Sequence, residues 1–224
     1  MYVTMPNDQS SLSQFSATRR KADRKLARDL KPGGYLFREG DEARYIFRVL
    51  SGVLRLTRVM ENGRRQVIAF GYPGDVIGFP NGAEHHTDCD VLTPARVVAY
   101  RRELLESGAG DAELHDELLT AALREISSMQ DHFMMLGRKS ASEKLASFLC
   151  VLADRVGTPL GPYTQIALPM SRCDIADFLG LTTETISRTI TQLRRSGVIA
   201  LESVHQVIIL KPDDLLTLAG GEED

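Results

Sequence analysis

Residues 171–198 read SRCDIADFLGLTTETISRTITQLRRSGV, and few arrangements accommodate them. Ser171 is placed to cap a helix, with Asp174 three residues on, near the amino end where a carboxylate meets the helix dipole. Ile175, Ala176, Phe178 and Leu179 supply an apolar face, and Gly180 stops the helix. Thr182 caps a second helix in which Ile186, Ile190 and Leu193 recur at helical spacing and Gly197 marks the end. Two short helices about a tight glycine turn predict a helix-turn-helix, whose second helix enters the major groove of DNA.

The polar face of that second helix carries the chemistry. Glu184, Ser187 and Arg188 fall at i, i+3 and i+4. A guanidinium forks onto guanine O6 and N7, a carboxylate accepts from cytosine N4, and a serine meets either a base edge or a thymine methyl. The plainer account is a solvated helix with an ordinary i, i+4 ion pair. The cap, the glycine turn and the apolar residues of both helices favour base reading. Net charge over the 224 residues is −3, unusual for a DNA binder, but a local basic face suffices. Arg188, Arg194 and Arg195 supply one, while acid is displaced to Asp213, Asp214 and residues 222–224.

Upstream, the pattern over 35–100 has period two. Leu54 and Leu56 alternate with Arg55 and Thr57, Asn62-Gly63 suits a primed hairpin turn, and 67–70 resumes a strand. Turn signals recur at Gly40-Asp41, Ser51-Gly52, Gly74-Asp75 and Asn81-Gly82, which predicts a β-roll or jelly roll. A charged segment at 18–30 is expected to form a short helix after a disordered start. Residues 104–137 read as one helix. Within it Leu119, Ala122, Ile126, Met129, Phe133 and Leu136 step by three and four, an a/d seam of about two and a half heptads. Packing on its own roll is the alternative; the helix length and its place between two domains favour pairing with a second copy. A hinge is expected at 137–142, then an amphipathic helix over 141–156, a Gly/Pro loop and the helix-turn-helix. Residues 199–201 and 207–210 pair as a hairpin, which makes the motif winged. The fold class is α+β, divided as 1–30 amino-terminal arm, 31–110 β-roll, 111–137 pairing helix and 138–224 DNA-binding domain.

Composition, 43% hydrophobic and 25% charged, fits a globular chain. No apolar run reaches the ~18 residues of a membrane span, and no signal peptide is present, so a cytoplasmic location is expected. The cysteines, Cys89, Cys150 and Cys173, form no CxxC pair, so neither a zinc site nor a disulfide framework is indicated. A phosphate loop with its lysine and a Gly-x-Ser-x-Gly elbow are both absent, so no catalytic residue and no enzyme activity are expected.

The order of these parts resembles the Crp/Fnr family of bacterial transcription regulators over nearly the whole chain. The specific likeness is to the FNR-like branch: its recognition-helix pattern stands here as Glu184-Thr185-Ile186-Ser187-Arg188, and Phe133-Met134-Met135-Leu136 running into Ser142-Glu143-Lys144-Leu145-Ala146-Ser147-Phe148 matches its helix-hinge-helix. The resemblance implies a homodimer on a TTGAT–N4–ATCAA palindrome, with Arg188 on the guanine, Glu184 on the opposite cytosine, Ser187 at the neighbouring A·T pair and Thr183 tuning outer positions. Ser171 and Arg172 would face the DNA backbone, and RNA polymerase would be a partner. Two departures matter. Residues 1–88 hold no cysteine, which argues against an FNR-type iron–sulfur cluster. Gly74-Asp75-Val76-Ile77-Gly78 keeps the family's nucleotide-cassette turn, but 79–91 holds no arginine, so a cyclic phosphate lacks its charge partner. What is left resembles the cofactor-free FixK-like subgroup, which implies an activator of microaerobic, anaerobic or nitrogen-fixation genes.

Cys173, in the first turn of a helix expected to face DNA, is a redox-switch candidate; the plainer account is a small residue tolerated near a cap. His85, His86, Asp88 and Cys89 read as a polar loop in no recognised zinc pattern, so no metal site is assigned. A haem-based regulator sensing nitric oxide or carbon monoxide is the alternative they leave open. A ligand-binding regulatory module attached to a partner enzyme is another.

Overall fold

In the computed structural model, residues 26–79, 82–108 and 111–221 are described, and they form two compact units, the first ending at Ser127 and the second starting at Ser128. The first unit contains eight strands: β1 (Arg28–Leu30), β2 (Tyr35–Phe37), β3 (Tyr45–Ser51), β4 (Leu54–Val59), β5 (Arg65–Gly71), β6 (Val76–Ile77), β7 (Asp88–Val91) and β8 (Ala95–Arg101). They build two four-stranded antiparallel sheets, β1-β8-β3-β6 and β2-β7-β4-β5. The β4–β5 hairpin turns where the sequence places it, with Gly63 at φ +78° and the Gly63 N–H donating to the Met60 carbonyl. Residues 1–25, which hold most of the expected arm and of the expected 18–30 helix, lie outside the described residues. Of the last residues of that segment Leu26 is helical, while Arg28, Asp29 and Leu30 pair with Val97, Arg96 and Ala95 as an edge strand.

Strand β3 is buried over four consecutive residues, which period-two patterning does not anticipate. Alternate side chains point to opposite faces of a strand, and here both faces are covered. Phe47, Val49 and Val97 join Leu54, Cys89 and Val91 in the roll interior. Ile46, Val98 and Tyr100 pack on the other side with Leu114, Leu118 and Ala121. Those last three belong to the long helix that follows the roll.

The single helix expected over 104–137 is two: α1 (Arg102–Ser107) and α2 (Ala112–Arg138). Gly108 closes α1 in the left-handed region at φ +64°, and Asp111 starts α2 by accepting the Leu114 N–H at 2.9 Å. The expected hinge shrinks to Lys139 and Ser140. Ser140 heads α3 (Ala141–Val156) with a capping box to Glu143.

The second unit adds β9 (Thr158–Leu160), β10 (Tyr163–Ala167), α4 (Arg172–Leu179), α5 (Thr183–Arg195), β11 (Ile199–Ser203), β12 (Gln206–Ile209) and α6 (Pro212–Gly220). The wing is a four-stranded antiparallel sheet, β11-β12-β10-β9, and the segment read as a Gly/Pro loop supplies half of it. Pro159 is tolerated because β9 is an edge strand, while Ile166 of β10 is buried. Helix α6 also escaped the sequence reading, although Pro212 in its first turn followed by Asp213 and Asp214 is a helix-start signal. No helix among the described residues is long and apolar enough to cross a membrane.

Candidate nucleic-acid interface

Helix α4 begins in a full capping box. The Asp174 N–H donates to Ser171 Oγ at 3.1 Å, and the Ser171 N–H donates to Asp174 Oδ2 at 2.9 Å. It ends at Gly180, φ +62°, whose N–H and that of Leu181 both reach the Ala176 carbonyl. Only glycine enters that conformation without strain. Thr182 then caps α5, its Oγ1 accepting the Thr185 N–H at 3.1 Å. The chain therefore reverses between the helices in three residues, each with a local reason to be there.

Helix α5 is amphipathic. Ile186, Thr189, Ile190 and Leu193 are buried, while Thr183, Glu184, Ser187, Arg188, Arg194 and Arg195 are exposed. The structure thus brings four of the sequence-predicted base-reading residues onto one open face. Arg188 Nη2 donates to Glu184 Oε1 across one turn, with the two side chains 78% and 70% exposed. Ser187 Oγ donates to the Thr183 carbonyl at 2.9 Å. An exposed ion pair of this kind contributes little to stability, but it holds the guanidinium alongside the carboxylate. Arginine carries five N–H donors in a planar fork, so most of its donor capacity remains for an incoming base.

Ser171 and Arg172 are placed differently from the recognition residues. The Ser171 side chain is committed to the cap, its hydroxyl also donating to Asp174 Oδ2 at 2.8 Å. Arg172 is half-buried, its Nη1 is buried without a hydrogen-bond partner, and burial pulls its pKa below the usual arginine range. Cys173, beside it, is exposed, and its thiol donates to Asp177 Oδ2 at 3.8 Å. The wing hairpin is pinned to the segment before α4, since the Leu168 N–H donates to the His205 carbonyl at 2.7 Å. Its tip residue Val204 is exposed.

Helix α2 has two faces. Leu114, Leu118 and Ala121 face the roll within the first unit, and His132 and Met135 are buried within the second. Leu119, Ile126, Met129 and Phe133 of the seam lie open, with Phe133 75% exposed. Leu123 and Met134, which heptad counting omits, join them. Ala122 is half-buried, and so is Leu136, the one seam residue that turns inward: its Cδ2 lies 3.7 Å from where a Cβ on Gly180 would stand.

The histidine–cysteine group does not converge. His85 is buried and stacks on Phe37 with ring centroids 3.8 Å apart, and burial lowers its pKa. His86 is exposed, Asp88 accepts the Glu39 N–H at 2.9 Å, and Cys89 is sealed in the roll core, where burial pushes its thiol pKa up. Cys150 is half-buried and is pushed up to about 11 by the same cause. Among the described residues no group of three His, Cys, Asp or Glu side chains is placed to hold a metal ion.

The turn that would receive a cyclic phosphate is likewise used internally. Asp75 Oδ2 accepts the Tyr72 N–H at 2.8 Å, and a Cβ at Gly78 would stand 3.1 Å from Phe37 and 3.2 Å from Phe47. Arg55 on β4 forms a two-point ion pair with Asp90 opposite it on β7, at 3.1 and 2.9 Å. With no arginine in 79–91, these residues do not fit an anionic nucleotide.

Comparison with known proteins agrees with both units. Residues 27–108 match the model of the cyclic nucleotide-binding domain, and 143–218 match that of the Crp-like helix-turn-helix domain. The chain is 41% identical over 176 residues to the nitrogen fixation regulation protein FixK of Azorhizobium caulinodans, covering 78% of this chain and 71% of that one. It is 36% identical over 194 residues to the protein of the same name from Rhizobium meliloti, covering 87% of each. Among solved structures, FixK2 from Bradyrhizobium japonicum superposes with a TM-score of 0.78 at 33% identity, covering 88% of this chain and 98% of that one.

Proposed function

The chain belongs to the Crp/Fnr family of DNA-binding transcription regulators, and from that premise we propose that it acts as a homodimer on an inverted repeat of the TTGAT–N4–ATCAA kind. The observation that carries this reading is the open face of α5, where Glu184 and Arg188 stand side by side over a buried Ile186/Ile190/Leu193 seat. In each half-site Arg188 donates to guanine, Glu184 accepts from the opposite cytosine, Ser187 meets the adjacent A·T pair and Thr183 touches the outer position. Ser171 and Arg172 serve the phosphate backbone near the start of α4. The Ser171 N-cap and the Arg172 stem order that helix, which turns its amino end to the anion.

Dimerisation uses the open stripe of α2. From Leu119 to Phe133 it runs about 21 Å along the helix at 1.5 Å per residue, and a continuous apolar surface of this kind marks an interaction face. Two copies related by a two-fold axis present their recognition helices to half-sites about one turn of DNA apart. The proposed division is 31–110 roll, 111–137 pairing helix and 138–224 DNA-binding domain. The roll serves as scaffold, because its cassette turn is engaged by its own side chains. The dimer therefore binds DNA without nucleotide, iron–sulfur cluster or haem, and activates genes of low-oxygen respiration or nitrogen fixation through contact with RNA polymerase. The FixK relatives named above motivate that last assignment.

The test is titration of the full chain onto the TTGAT–N4–ATCAA duplex, without added effector and at fixed salt, with sedimentation of the complex. Tight binding of two subunits per duplex is expected. A monomer on DNA, or equal affinity for a scrambled duplex, refutes the reading.

A further inference from the structure

From Ser128 onward, α2 belongs to the DNA-binding unit. His132 is buried there, 6% exposed, with its ring stacked on Phe178 at a centroid separation of 4.5 Å and an interplanar angle of 23°. It also forms a hydrogen bond with the Phe178 main chain. That bond favours the ring's protonated nitrogen, so the imidazole N–H donates and the Phe178 carbonyl accepts. Burial holds the ring neutral, with its pKa lowered to about 4.

The partner is informative. Phe178 is next to last in α4, and the last carbonyls of a helix have no acceptor role inside it. Ala176 already receives the N–H groups of Gly180 and Leu181. His132 supplies a donor to a second orphan carbonyl of the same turn. One turn further along α2, Leu136 covers Gly180. Phe178 also meets Phe148 of α3, with ring centroids 5.7 Å apart. The turn of the helix-turn-helix is thus held from outside by a polar contact and two apolar ones, and two of the three come from the pairing helix.

We propose that His132 is a positioning residue: it clamps the turn between α4 and α5 to the end of α2, so that the pairing helix sets the separation of the two recognition helices and with it the choice of a four-base spacer. The spacer part rests on the dimeric reading above; the clamp itself does not. Apolar packing alone slides, whereas a hydrogen bond to one carbonyl has one satisfactory geometry. A side chain of similar size without the donor leaves the Phe178 carbonyl buried and unmet.

The test uses the full chain with two substitutions. His132→Phe keeps a ring against Phe178 and removes the donor; His132→Gln keeps an amide N–H and removes the ring. Each is titrated onto the palindrome with its natural spacer and with spacers one base shorter and one base longer. Each is also followed by hydrogen exchange of peptides covering 176–183 without DNA. The wild type is expected to prefer the four-base spacer. In His132→Phe that preference falls to within about twofold and exchange across the turn rises about tenfold, while His132→Gln recovers part of both. A merely structural loss lowers affinity for all three duplexes alike and leaves the preference in place. Either measurement left at its wild-type value in His132→Phe overturns the proposal, and His132→Gln decides the matter if the phenylalanine variant does not fold. If the wild type ignores every palindrome while exchange still responds, the dimeric reading falls and the clamp stands.

Discussion

Replacing Arg188 by alanine separates recognition from stability. In the free protein its guanidinium pairs with Glu184, and both side chains are mostly exposed. An exposed i, i+4 pair contributes about 0.3–0.5 kcal/mol. For a chain of this size that amounts to a fall of about 1–2 °C in melting temperature. On DNA the same side chain is expected to fork onto a guanine, a contact that contributes about 1–3 kcal/mol. A dimer loses it twice, so the total is ~2–6 kcal/mol, roughly 30-fold to 10⁴-fold in affinity. Fluorescence anisotropy on the palindrome at constant salt reads this directly, because the phosphate contribution depends on ionic strength. A second arm replaces the contacted guanine by 7-deazaguanine, which lacks the N7 acceptor. That duplex should weaken the wild type but leave Arg188→Ala no weaker than before, the signature of two groups in contact. Affinity of Arg188→Ala within twofold of wild type refutes the assignment. So does an equal loss from 7-deazaguanine in both proteins.

Three further outcomes are expected. Ile126→Glu and Phe133→Glu place charge on the open stripe of α2, where both native side chains are exposed in the protomer; each should sediment as a folded monomer with weakened palindrome binding, and a persistent dimer would place the interface elsewhere. Unfolding stability should fall with acid, because the folded pKa of His132, lowered by burial to about 4, lies below its unfolded value of 6.5. The folded state then binds fewer protons, so stability is present well above pH 6.5 and drains as pH falls below it, a slope that His132→Phe lacks in urea titrations. Peroxide is expected to lower DNA affinity through Cys173, the exposed thiol of the three; Cys173→Ser should keep its affinity under the same treatment, and equal sensitivity in both proteins would exclude the switch.

Much of this architecture can be read from local chemistry. The two caps, the glycine turn and the buried face of α5 depend on contacts within four residues, and such contacts are written in the spacing of Ser171, Asp174, Gly180, Thr182 and Ile186. The hairpin at Gly63 is legible for the same reason. Errors arose where one local signal masked another. Leucines on both sides, Leu104 and Leu105 before and Leu114 and Leu118 after, concealed the break between α1 and α2 that Gly108 and Asp111 mark. Glycine and proline at 157–162 concealed β9 and β10, whose pairing with β12 comes from the far side of the helix-turn-helix. Heptad counting does not distinguish Leu136, which is half-buried beside Gly180, from the exposed steps of the seam. A straight helix drifts ~20° per heptad from a strict seven-residue repeat, so the last step of the seam, Leu136, turns toward the buried side while Phe133 stays open.

The sequence by itself determined the helix-turn-helix and the identity of its outward side chains, because helix caps and helical spacing are short-range. It also carried the alternation that makes the first unit a roll. Only the tertiary structure decided which face of α2 is covered by the roll and which is left open, that His85 stacks on Phe37 while Cys89 is sealed in the roll core, and that His132 meets the Phe178 main chain. Those are contacts between residues dozens of positions apart, where no periodicity connects the partners. A lone histidine in an amphipathic helix carries no mark of what it touches until folding brings the other half of the contact to it.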